Sequence, residues 1–190
     1  MKSSIINSKL IHNSFKGDEK MLKGQPVSLS LMLLCRERRA EIQKKYLLQY
    51  NKSIVSFSLN IPGPIKTSDS IRLLFEEGKQ AILLSILKEN GIILDMTEFH
   101  EVTGDELILC TDANAAAIKD RTVYVEETHP LGRLFDIDVI DTSGSKLGRS
   151  LPRKCLLCSN DVWECSASRA HTADELQKEI EKLLENHFVK

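Results

Sequence analysis

The chain has 190 residues, 42% of them hydrophobic and 28% charged, with a net charge of −1. That is enough apolar material for one packed domain with a small appendage, and it excludes wholesale disorder. A near-zero charge also counts against a nucleic-acid binder that relies on bulk electrostatics.

At the start, "MKSSIINSKLIHNSF" is interrupted by Ser, Asn, Lys and His, so it does not read as a secretory signal. No apolar run approaches membrane-spanning length. The expectation is a cytoplasmic protein with no membrane partner, whose five cysteines are reduced thiols or metal ligands. Residues 1–25 read as a flexible extension and 26–190 as a single domain. "PVSLSLMLLCRERRAEIQKKYLLQY" has helical periodicity, opened by Pro26 and Ser28. Leu31, Leu34, Cys35, Ile42 and Tyr46 share a face there, with Arg36, Arg38 and Arg39 near the middle. "SIVSFSLN" alternates as a strand, and a largely buried helix is expected from about Asp69 to Asn90, closed by Gly91. "IILDMTEF" and "ELILC" read as strands around a turn at Gly104-Asp105. "DANAAAIKD" reads as a short helix, and "TVYVEE" and "FDIDVI" as two more strands. The last helix spans Ala173 to His187 behind a capping box from Thr172 to Glu175. The fold class is therefore α/β, or α+β, in the order β-α-β-β-α-β-β. It would be a mixed sheet with packed helices, followed by a Cys/His segment at 155–171 and a terminal helix.

The stretch "THPLGRLFDIDVID" puts Asp136 and Asp138 on one face of an apolar strand, opposite Phe135, Ile137 and Val139. Either that face meets water, or a cation sits between the carboxylates; Mg²⁺ held beside substrate phosphates suits two such groups. Arg133, just ahead of the pair, is suited to clamp a leaving pyrophosphate, and His129 is either a general base or a turn residue before Pro130. "PGPIKTSDS" leads into a helix N-terminus, a natural anion site: Gly63 would admit a close ligand, Lys66 adds charge and Ser68 caps or binds phosphate. An ordinary rigid turn accounts for the same residues. Arg36 and Arg39 form either a phosphate-holding face or a solvated one. Arg149 and Arg153, in "KLGRSLPRK", could neutralise a polyphosphate or line a solvated loop. Cys155-x₂-Cys158-x₆-Cys165-x₅-His171 packs three thiols and an imidazole into 17 residues, the donor set of a structural zinc site and equally a set of core thiols.

Taken together, "PGPIK", "HPLGRLFDIDV", "LPRKCLLC" and the following Cys and His resemble the citrate lyase holo-acyl-carrier-protein synthase family, known as CitX, from about residue 33 to the last helix. The resemblance implies a nucleotidyltransferase. It would move phosphoribosyl-dephospho-CoA from 2′-(5″-triphosphoribosyl)-3′-dephospho-CoA to a serine of the citrate lyase acyl carrier protein, releasing pyrophosphate. On that reading Asp136 and Asp138 hold Mg²⁺ while Arg133, Lys66, Arg36 and Arg39 contact phosphates. Two other readings remain: a zinc-stabilised binding or regulatory module, and the same transfer onto the malonate decarboxylase carrier.

Overall fold

Ser28 opens the first helix, its side chain accepting the Leu31 N–H at 3.3 Å, and α1 runs from Leu29 to Tyr50. The computed structural model describes residues 22–158 and 160–189. The extension expected over residues 1–25 lies outside the described residues as far as residue 21. Its remainder is attached: Leu22 is buried in the core, and a Cβ on Gly24 would lie 2.5 Å from Thr67 O.

After α1 come β1 (Ser53–Leu59), α2 (Asp69–Lys88), β2 (Ile93–Glu101), β3 (Gly104–Thr111), α3 (Ala115–Thr128), β4 (Phe135–Ile140), α4 (Val162–Ser168) and α5 (Ala173–Phe188). The strands pair in the order β2-β3-β1-β4, every pair antiparallel. The helix-and-sheet class is as expected, but the sheet is antiparallel throughout rather than mixed. It also has one strand fewer, because "TVYVEE" is the second half of α3. Asn114 caps that helix and three alanines start it. Its buried stripe is Ile118, Lys119, Thr122 and Glu126, a helical spacing carried mostly by polar residues that hydropathy does not register. The β2–β3 turn is at Val102-Thr103, with Gly104 already in β3. α4 was not foreseen, whereas the α5 capping box is present with both of its hydrogen bonds.

One sheet face carries Val55, Phe57, Leu107, Leu109, Phe135, Ile137 and Val139 against α2, α3 and α5. Phe57 stacks on Phe75 at 5.0 Å and meets Phe135 edge-on at 5.5 Å. Among the described residues α1 covers the other face, and a smaller cluster of Ile54, Ile108, Cys110 and Ile140 packs there under Tyr46. The α1 side chains buried against the sheet are Cys35 and Tyr46, while Leu31 and Leu34, expected on that face, are exposed.

Candidate active site

The α1 face of the sheet changes character along β1. Ile54 lies between Cys110 and Ile140, an apolar row, whereas Ser58 lies between Glu106 and Asp136. Ser56 lies opposite Asp138. The polar end of this face, the first half of α1 and the loop before α2 enclose a cleft of about 390 Å³. Arg36, Arg39, Lys66, Asp136 and Asp138, from three segments far apart in sequence, all line it. The aspartates therefore face a concavity, neither buried nor on an open surface.

Charges around the cleft are unevenly matched. Glu106, 2% exposed, pairs with Arg39 Nε at 3.0 Å and with Arg38 at 3.3 Å, and Arg39 also donates to Ser58 Oγ at 3.3 Å. Arg38 is held further by Glu101 at 2.6 Å and lies 3.8 Å over the Phe99 ring. Lys66 Nζ donates to Ile61 O at 2.6 Å; burial, and then the charge of Arg36, lower its pKa. Asp138 pairs with Lys146 at 2.5 Å. Asp136 has no hydrogen-bond or ion-pair partner among the described residues, and Ser56 Oγ is buried without one. Two carboxylates with open oxygens on one strand face, flanked by an orphaned hydroxyl, form an all-oxygen donor set that fits a hard divalent cation. Cys35 also lines the cleft, but burial and Glu106 push its thiol up, so it stays protonated and a poor nucleophile.

The remaining expected site residues lie elsewhere. Arg149 and Arg153 do not line the cleft; both are bound to the α3 carboxylates. Arg149 reaches Glu127 at 2.8 Å and Glu126 at 3.7 Å, while Arg153 pairs with Glu126 and donates to Phe135 O. Glu126 is 4% exposed, accepts Ile137 N–H at 3.0 Å and has its pKa raised by burial against the pull of Arg153. These arginines are countercharges to a buried acid at the root of β4. Arg133 lines a second pocket of about 590 Å³, shared with Arg153 and Arg169, and Asn60 borders both pockets. Burial, then Arg153 and Arg149, lower the Arg133 pKa. His129 is the turn residue of the two readings: it accepts Leu131 N–H through Nδ1 and faces Glu77, away from the cleft. Gly63 is required by packing: its φ is +85°, and a Cβ there would lie 2.1 Å from Gln177 Nε2 on α5. Ser68 caps α2, accepting Ile71 N–H at 3.3 Å.

Sequence reading missed Glu106 and Ser58. The signal was present, a glutamate heading the apolar "ELILC", but only strand pairing sets it in one row with Asp136, across Ser58. The Cys/His segment does converge: the ligand atoms of Cys155, Cys158, Cys165 and His171 lie within 4.8 Å of one another. Burial raises the Cys155 thiol, but the N–H groups of Leu157 and Cys158 together with the Cys158 and Cys165 thiols bring its pKa down to about 7.

A family model described as apo-citrate lyase phosphoribosyl-dephospho-CoA transferase, CitX, matches residues 27–187. A Citrobacter koseri protein of that name is 36% identical over 162 residues, covering 83% of this chain and 88% of the relative. An Escherichia coli protein with the same name is 35% identical over 162 residues, with the same coverage of 83% and 88%.

Proposed function

Because the chain belongs to the CitX family of apo-citrate lyase phosphoribosyl-dephospho-CoA transferases, we propose that it attaches the citrate lyase prosthetic group. The donor is 2′-(5″-triphosphoribosyl)-3′-dephospho-CoA and the acceptor a serine of the citrate lyase acyl carrier protein. Serine Oγ bonds to the α-phosphorus of the triphosphate, the bond from that phosphorus to the bridging oxygen breaks, and pyrophosphate leaves as the serine proton is released. This is a nucleotidyl transfer, and it needs charge neutralisation and alignment more than covalent help.

The observation that carries this reading is one cleft in which Asp136 and Asp138 face Arg36, Arg39 and Lys66. Mg²⁺ held by the two aspartates would neutralise the triphosphate as its charge shifts to the leaving group. Lys66, pinned to Ile61 O, and Arg36 present cations to the leaving pyrophosphate. Arg39, fixed by Glu106 and Ser58, is already oriented before the donor arrives. The dephospho-CoA part extends past Asn60 into the second pocket, where Arg133 and Arg169 meet its diphosphate and Leu134, Leu176 and Ile180 its apolar stretches. Reduced thiols in the Cys/His segment suit a cytoplasmic setting.

The test is the intact mass of apo acyl carrier protein incubated with this protein, the donor and Mg²⁺. The expected result is a gain of one phosphoribosyl-dephospho-CoA group, abolished by chelator and accompanied by one pyrophosphate. No gain with folded protein and intact donor overturns the reading. A gain only on the malonate decarboxylase carrier replaces the acceptor and keeps the chemistry.

A further inference from the structure

The segment between β4 and α5 has almost no core of its own. α4 is a single seven-residue helix whose one buried residue is Cys165, while its Trp163 is 61% exposed. A helix of that length does not hold itself in water, so something other than apolar burial fixes it. Before it, a short hairpin is closed by Cys155 N–H to Asn160 O at 2.8 Å and Val162 N–H to Arg153 O at 2.8 Å.

At the centre of this segment lie four soft donors. Cys158 Sγ is 3.4 Å from Cys165 Sγ and 3.4 Å from His171 Nε2, and Cys155 Sγ lies within 4.8 Å of all three. A sulfur–sulfur separation of 3.4 Å is far outside a disulfide bond of about 2.05 Å and near the ~3.8 Å edge of a tetrahedron with metal–sulfur bonds of about 2.3 Å. The other acid and histidine cluster, Glu76, Glu98 and His100, differs: the Lys79 ammonium already lies 2.7 Å from Glu76 and 3.0 Å from Glu98.

We infer that Cys155, Cys158, Cys165 and His171 hold a structural Zn²⁺ ion that docks α4 and the start of α5 onto the domain. Three thiolates and one imidazole close the coordination sphere, so the ion has no open position for chemistry. Cys155 follows two residues after Arg153, and Val162 is hydrogen-bonded to the Arg153 carbonyl. The metal therefore also secures the backbone that presents Arg153 to Glu126.

Zinc content of the purified full chain and of Cys158→Ser tests this directly. Expected are one equivalent per chain in the wild type, under a tenth in the variant, and a melting temperature lower by roughly 5 °C or more in the variant. Co²⁺ replacing the ion in the wild type should give intense thiolate charge-transfer absorption and the strong d–d bands of a tetrahedral site. Should the variant fail to fold, alkylation of the wild type decides: Cys155, Cys158 and Cys165 should be protected until a strong chelator is added. The inference is overturned by wild-type protein without metal and without cobalt bands, by thiols that alkylate freely before chelation, or by a Cys158–Cys165 disulfide in protein prepared without oxidant. These readouts are independent of transfer activity, so they separate the metal site from the reaction proposed above.

Discussion

The cleft and the Glu126 hub are both rich in arginine and carboxylate, yet they differ in how far those charges are matched. At the hub, Arg149 and Arg153 are both engaged by α3 carboxylates, and Lys119, also buried, donates to Ile137 O at 3.2 Å. In the cleft, Asp136 stands without a partner among the described residues, and Lys66 donates to a carbonyl oxygen, not to a carboxylate. Charges that already satisfy one another belong to the architecture, because moving them would strand a buried ion. Unmatched charges of both signs around a concave space can be matched only by something that enters it. The difference separates Arg149 and Arg153, which hold β4 in place, from Arg36, which has no acidic partner among the described residues.

Asp136→Asn gives the largest expected effect: a loss of transfer of about 10³-fold or more, equivalent to ~4 kcal/mol, with an unchanged melting curve. Full activity in that variant, read by carrier mass, would remove the cleft from the chemistry. Next comes Glu126→Gln, which strands Arg153 and should cost about 3 kcal/mol of stability in denaturant titration. Its activity per folded molecule should be retained; a selective loss of activity with stability intact would erase the contrast between the two regions.

Lys66→Met should weaken pyrophosphate inhibition by roughly 10-fold, the loss of one charged hydrogen bond. The same lysine sets a pH dependence. Its lowered pKa in the free protein means that the protonated, anion-binding form is full below that value and is lost as pH rises through it. Pyrophosphate affinity should therefore fall with rising pH across that window, with proton uptake on binding. Calorimetry in buffers of different ionisation enthalpy should show the uptake in wild type and not in Lys66→Met.

Gly63→Ala should cost ~1–2 kcal/mol of stability without altering the KM for the donor, because it strains a left-handed backbone and displaces Gln177. The smallest effect belongs to Lys146→Met, whose exposed pair with Asp138 should contribute under ~1 kcal/mol to stability.

Local signals were legible where a residue acts through its immediate neighbours. Ser28 and Thr172 open helices as their sequence contexts required, and the alternation around Asp136 and Asp138 put both on one face. The same local logic failed at residues 122–127. There β-branched content argued for a strand, while the decisive contacts, Glu126 with Ile137 N–H and with Arg153, cross from one element to the next. Gly63 could be read either way for a similar reason, since what approaches it is a side chain 114 positions later.

By itself the sequence determined the helix starts, the apolar strands, the shared face of the two aspartates and the family resemblance, because each depends on residue spacing within one segment. Tertiary structure decided which cations meet those aspartates. The β1 register set Glu106, Ser58 and Asp136 in one row, α1 laid Arg36 and Arg39 across it, and Glu126 drew Arg149 and Arg153 away. The physical reason is that a charged side chain in a fold goes to the partner that best repays its desolvation, and that partner is set by strand pairing and helix docking, not by distance along the chain.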